Sequence, residues 1–106
     1  MIARHIEVTI KPDRYGEFKT LYENDVLPIV KRQQGFLDEL ALVAEGKQDR
    51  HMVITLWRTK NDAENYQKKE FAKILEMMKP FLVGTPTVQY FTVEHTTFRK
   101  VESVAA

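Results

Sequence analysis

The stretch from Gly35 to Tyr66, GFLDELALVAEGKQDRHMVITLWRTKNDAENY, limits the possible folds more than any other part of the chain. It reads as a hairpin of two strands turned at Gly46-Lys47-Gln48-Asp49, ending in the only tryptophan and running into a capped helix. With Glu45 paired to Arg50, one face carries Leu37, Ala41, Val43, Met52, Ile54 and Leu56, and the other Phe36, Leu40, Leu42, Val53 and Trp57. Both faces are apolar, and a slip of one residue leaves large apolar side chains on both sides. Such a sheet needs cover on both faces.

The flanking segments supply that cover for one face only. Ile2, Ile6, Val8 and Ile10 alternate with Ala3, His5, Glu7 and Thr9, which is strand period, and Arg4 interrupts the apolar set. Pro12-Asp13 marks a helix start with Asp13 as N-cap. Tyr15, Phe18, Leu21, Tyr22, Val26, Ile29 and Val30 then repeat at helical spacing to about Gln34. Pro28 removes the amide bond back to Asn24, so a kink or break is expected there. Asn61-Asp62-Ala63-Glu64 resembles a capping box opening a second helix. Its stripe steps five residues from Tyr66 to Phe71, which predicts two helical pieces. Thr87 to Phe98 reads as a last strand and Arg99 to Ala106 as a tail.

The order βαββαβ is the split βαβ, ferredoxin-like motif: an α+β domain with strands 1 and 3 central and both helices on one face of an antiparallel sheet. One domain, residues 1–106 with its core at about 2–98, is expected. The uncovered face would expose about five large apolar side chains from the hairpin alone, each worth roughly 1.5 to 3 kcal/mol when buried. That sum rivals the ~5 to 15 kcal/mol stability of a whole domain. A second copy related by a two-fold axis is the simplest partner, so a homodimer with sheet packed on sheet is expected.

Composition narrows the function. Sixteen basic residues against fifteen acidic ones, with no basic cluster, disfavour nucleic acid as a partner. The absence of cysteine removes disulfides and thiolate metal sites and suits a reducing cytoplasm, the expected location. Met1 to Ile10 carries Arg4, His5 and Glu7 where a signal peptide would be apolar, and the apolar run Leu40 to Ala44 is too short to span a membrane. Zinc spacing, a Gly-rich phosphate loop and a G-x-S-x-G elbow are all missing, and the only serine, Ser103, lies in the tail. The chemistry must come from a few polar groups in an apolar pocket, with no cofactor or metal called for.

Connectivity indicates where those groups gather. Strands 3 and 4 run antiparallel to strand 1, so Trp57 comes near Arg4 and His5, with Tyr66 on helix 2 and the region of His95 at the same edge. His5, Trp57 and Tyr66 are the candidate catalytic residues. Each has a plainer reading: packing for Trp57, core for Tyr66, a partly exposed structural histidine for His5 and a strand residue for His95. Asp38 is a pocket base or a solvated edge carboxylate. His51, at the other end of strand 3, is read as solvated or as part of a turn.

Gly35-Phe36 after helix 1, the apolar hairpin ending in Trp57, the Asp62-Ala63-Glu64 helix start, and Phe71 with Leu75 resemble the antibiotic-biosynthesis monooxygenase superfamily of dimeric α+β barrels. The resemblance spans about residues 2 to 98. It implies a homodimer with a pocket between sheet and helices in each subunit, and an activity among cofactor-independent oxygenases of quinols and polycyclic phenols or haem-degrading oxygenases. Trp57 matches the family tryptophan. The strand-1 asparagine of active oxygenases falls at or near His5, and the helix-2 histidine of haem degraders near Tyr66 or Gln67, so the haem reading loses its axial imidazole. The expected function is a cofactor-independent monooxygenase acting on a small quinol or phenol, with His5 as base and Trp57 and Tyr66 donating to and stacking on the ring. A non-catalytic ligand-binding dimer and a cofactor-free isomerase are the alternatives.

Overall fold

The computed structural model describes residues 1–98. The strands are β1 (Ile2–Thr9), β2 (Phe36–Ala44), β3 (Lys47–Trp57) and β4 (Thr87–Thr92). They form one antiparallel sheet in the order β2-β3-β1-β4. The helices α1 (Tyr15–Leu21), α2 (Leu27–Lys31), α3 (Lys60–Lys69) and α4 (Phe71–Met78) complete the ferredoxin-like α+β fold. The tail from Arg99 lies outside the described residues.

The first helical segment is continuous but changes its winding. A 3-10 turn, Pro12–Arg14, leads into α1, so Asp13 lies inside that turn and does not cap the helix. Between α1 and α2 the chain makes a π-helical turn, Tyr22–Val26, in which the Leu27 amide reaches the Tyr22 carbonyl. The perturbation expected at Pro28 therefore takes the form of a widened turn just before it: Pro28 has no amide hydrogen for Asn24, and the i to i+5 bond holds the helix together. In the second helix the two pieces inferred from the Tyr66 to Phe71 step are present, separated at Glu70. The cap of α3 is Thr59, whose hydroxyl accepts from the Asp62 amide at 3.1 Å, two residues ahead of the expected Asn61.

Three expectations about the strands need correction. The hairpin turns on Glu45-Gly46, not on a four-residue loop, because Gly46 adopts φ 77° and Lys47 is already back in the strand. A bulge at Leu37 also breaks the register, so that Phe36 pairs with Trp57 while Asp38 pairs with Leu56. Past the bulge the β2 residues change partners. Ala41 joins Val53 on the helix side, and Leu40 and Leu42 join Ile54 and Met52 on the other. Strand β4 stops at Thr92 and not at Phe98, since its partner β1 begins at Ile2 and the last bond runs from the Val93 amide to the Met1 carbonyl.

The core lies between the sheet and the helices. It gathers Ile6 and Val8 of β1 and the following Ile10 with Phe18, Val26, Val30, Trp57, Tyr66, Phe71, Ile74 and Met78. Among the described residues the opposite face has no helix on it. Leu40, Leu42 and Phe91 are exposed there, alongside Met52, Ile54 and Leu56. No helix among the described residues is long and apolar enough to cross a membrane.

Candidate functional site

On the helix-covered face the pairing of β1, β3 and β2 stacks four rows of side chains. Ile2, Trp57 and Phe36 make an apolar end row; Arg4, Thr55 and Glu39 come next; Ile6, Val53 and Ala41 follow; Val8, His51 and Val43 close the set. The second row is polar throughout, on a face that is otherwise mostly apolar. On the far side of Arg4 the row continues to Tyr90 of β4.

Arg4 is only 2% exposed. Its Nη2 and Nε donate to Gln67 Oε1 of α3 at 2.7 and 3.1 Å, and its Cζ lies 4.5 Å from the Phe71 ring centroid and 5.1 Å from that of Tyr66. Among the described residues no carboxylate reaches ion-pair distance of it. A guanidinium held by one amide oxygen and two aromatic faces keeps N–H donors in hand and is short of negative charge. Burying such a cation without an anion is unfavourable, so an anionic or electron-rich group placed at this end of the cavity would offset its charge.

Across Thr55 lies the second polar group. The Tyr22 hydroxyl, at the start of the π turn, donates to Glu39 Oε1 at 2.7 Å. Glu39 Oε2 is buried with no hydrogen-bond partner among the described residues. Burial pushes the Glu39 carboxyl above the usual carboxylate range, against the opposing pull of the Tyr22 hydrogen bond. Burial and then Glu39 push the Tyr22 hydroxyl up as well. Thr55 Oγ1 accepts from Trp57 Nε1 at 2.8 Å and lies 3.5 Å from the Arg4 carbonyl. Tyr66 stacks on Trp57, with centroids 5.1 Å apart and planes at 27°. Its hydroxyl is pushed up to about 12, chiefly by burial, with Arg4 pulling the other way.

These groups border a cavity of about 400 Å³ between the sheet and the helices, within the size range of small-molecule sites. Arg4, Glu39, Tyr22 and Tyr66 line it, Phe18, Val26, Phe71 and Met78 supply apolar wall, and His51 borders the other end. His51 Nε2 faces the Gln48 carbonyl at 2.7 Å, which assigns the hydrogen to that nitrogen, and its ring packs on Tyr15 and Phe18. Among the described residues no three His, Asp or Glu side chains gather as metal ligands.

The expected convergence of His5 with Trp57 and Tyr66 divides. Trp57 and Tyr66 are together, but His5 pairs with Ile54 and lies on the opposite face of the sheet from Trp57, because β1 residues alternate in direction. His5 therefore does not share the cavity and cannot serve there as base. Its Nε2 lies 3.3 Å from Met52 Sδ, and its ring meets Phe91 edge-on. Trp57 is fully buried with its N–H bound to Thr55, behind Tyr66 as seen from the cavity. His95 is exposed beyond the end of β4, and Asp38 is on the uncovered face with Leu56. His51, expected in solvent or a turn, is 9% exposed and borders the cavity, since odd β3 positions point at the helices.

Sequence reasoning did not single out Arg4, Tyr22 or Glu39. For Arg4 a signal existed: a charged residue at an even position of β1, where every other even residue is apolar. Tyr22 was legible only as part of the helical stripe. Glu39 carried no signal, because the Leu37 bulge that turns it inward cannot be read from the local pattern.

Comparison with known proteins accounts for this architecture. No curated protein matches the chain in sequence. SnoaB, a cofactor-independent oxygenase from Streptomyces nogalater, superposes with a TM-score of 0.77 at 16% identity, over 92% of this chain and 97% of that one. A protein of unknown function from Nitrosomonas europaea superposes at 0.76 with 13% identity, over 92% of both chains. A conserved protein from Methanosarcina mazei Go1 does so at 0.72 with 13% identity, over 86% of this chain and 91% of that one. At these identities the likeness shows the fold. The sequence itself matches the family model for antibiotic biosynthesis monooxygenase over residues 1–74, the span that contains β1, the hairpin and Tyr66, and the chain therefore belongs to that family.

Proposed function

We propose that this protein is a cofactor-independent monooxygenase acting on a small electron-rich phenol or quinol bound between the sheet and the helices. The observation that carries the reading is Arg4, a buried cation bordering an apolar cavity with no carboxylate at ion-pair distance among the described residues. A phenolate or enolate is the anion that fits an aromatic-walled site of this size, and Phe71 and Tyr66 offer ring faces beside it. Membership of the antibiotic biosynthesis monooxygenase family supports the reaction class.

In this mechanism the substrate loses its hydroxyl proton, and Arg4 holds the resulting oxyanion through the N–H donors that Gln67 leaves free. The anion passes one electron to dioxygen. The resulting radical and superoxide join in a carbon–oxygen bond, the peroxide anion takes back the proton that the substrate lost, and the hydroperoxide then loses water across a C–H bond of the reacting carbon. One oxygen atom remains as a carbonyl and the other leaves in water, with the substrate supplying the electrons. The apolar wall keeps bulk water from the intermediate. His5, on the other face, takes no part.

The uncovered face is proposed as the seat of a second copy of the chain. Exposed Leu40, Leu42 and Phe91 lie with Met52, Ile54 and Leu56 across adjacent strands, which makes an apolar surface of the kind two copies cover by packing sheet on sheet.

Oxygen uptake measured with a panel of quinols and anthrones, without added cofactor, tests the activity. Wild type should consume dioxygen and place one labelled oxygen atom in the product, and Arg4→Met should lose this. A second reading, a non-catalytic binding module, is favoured by the position of His5 outside the cavity. Binding of panel members without any oxygen uptake would establish that reading and overturn the first.

A further inference from the structure

We infer that Tyr22 and Glu39 form the proton relay of the cavity, with Tyr22 taking the substrate proton and Glu39 storing the proton that Tyr22 releases. The inference rests on the reading above and assigns the group that reading leaves open. It starts from placement. Glu39, Thr55 and Arg4 are direct neighbours across three strands, so the Cα atoms of Glu39 and Arg4 are about 10 Å apart, and both residues line the same cavity. Tyr22 faces the same space from the π turn, and its hydroxyl is already hydrogen-bonded to Glu39 Oε1 at 2.7 Å. With its hydrogen directed at Glu39, the Tyr22 oxygen presents lone pairs to an incoming hydroxyl.

The transfer balances. The substrate O–H bond breaks as a new O–H bond forms on Tyr22. The original Tyr22 proton crosses to Glu39 Oε1, so Tyr22 stays neutral, Glu39 becomes a neutral acid and the substrate becomes the anion. Negative charge thereby leaves a site where it is poorly solvated and arrives beside Arg4. Glu39 suits the role: one of its oxygens is buried without a partner among the described residues, and burial favours its protonated form. Lys31 on α2 and neighbouring Asp38 are the other charges that act on it, with opposite signs. His51 is the rival base. It lies four positions along β3 from Thr55, roughly 13 Å from the polar row, and so stands away from Arg4.

The test uses 4-nitrophenol, whose ionisation is visible in its absorbance, at a pH where the free probe is mostly neutral. Bound to wild type, it should show added phenolate absorbance together with a new infrared carbonyl band of one protonated carboxyl group. Glu39→Gln should bind the probe without the band and as neutral phenol. Tyr22→Phe should bind it with at least about tenfold less phenolate. Circular dichroism of each variant confirms that the fold is kept, and Glu39→Asp serves as a second variant that should restore part of the band. Phenolate formation unchanged in Glu39→Gln would overturn the relay and direct the search to His51. Binding to wild type as neutral phenol would overturn the relay while leaving the cavity reading intact. No binding by wild type would overturn both.

Discussion

Strand β1 has two faces that differ in nearly every property. Its even residues Ile2, Arg4, Ile6 and Val8 point at the helices, and Arg4 is buried there at the edge of a cavity. Its odd residues Ala3, His5 and Glu7 lie on the side no helix covers, among Met52, Ile54, Leu56 and Phe91. Arg4 and His5 are adjacent in sequence yet belong to different tasks. Arg4 borders a cavity of about 400 Å³, the site of the proposed chemistry, whereas His5 sits on the apolar surface proposed to receive another sheet. Because strand side chains alternate with a period of two, one residue of displacement separates the proposed site of chemistry from the proposed docking surface.

The contrast can be broken from either side. The largest expected effect is on turnover: Arg4→Met should lower oxygen uptake by about 10² to 10³-fold, the scale for losing an oxyanion donor, while His5→Ala stays within about twofold. A substantial loss in His5→Ala with the assembly intact would erase the functional distinction between the faces. On the docking side, Ile54→Asp should weaken self-association by about 10²-fold or more in sedimentation equilibrium, with the far-ultraviolet spectrum unchanged. A wild-type chain that sediments as a monomer would refute the docking role.

Smaller effects sharpen the picture of how the covered face is held. Gly35 joins α2 to β2 at φ 83°, and a Cβ there would run into the Asp62 side chain of α3. Gly35→Ala should cost about 2 kcal/mol or more, a fall in Tm on the order of 10 °C. The smallest effect concerns Glu39. Its folded pKa is raised by burial, so the native state binds more protons than the unfolded chain, and this group's contribution to stability falls as pH rises from about 4 through the folded value. Glu39→Gln should raise Tm modestly at pH 7, and the gain should vanish below about pH 4. A gain that persists in acid would place the benefit elsewhere than in the carboxylate.

How much of this was legible depended on the range of the interaction concerned. The two pieces of the second helix were readable because a five-residue step from Tyr66 to Phe71 is a local break in helical period. Pro28 announced a perturbation, but whether a helix kinks or widens depends on which carbonyl the Leu27 amide can reach. The hairpin was clear as an element and wrong in register, since neither the Leu37 bulge nor the short turn at Gly46 alters the apolar pattern enough to be seen. The site suffered most from that. Shifting the β2 partners moved Glu39 to the covered face beside Thr55, and strand alternation removed His5 from it.

By itself the sequence determined the βαββαβ order, the antiparallel sheet with β1 and β3 at its centre, and a second apolar face without helical cover. These follow from periodicity and from the short reach of each connection. Only the tertiary structure decided which polar side chains share the cavity. That depends on strand register and on the two places where β2 and β3 fall out of step, between Phe36 and Asp38 and between Val43 and Ala44, and a shift of one residue leaves the hydrophobic pattern almost unchanged while exchanging every neighbour.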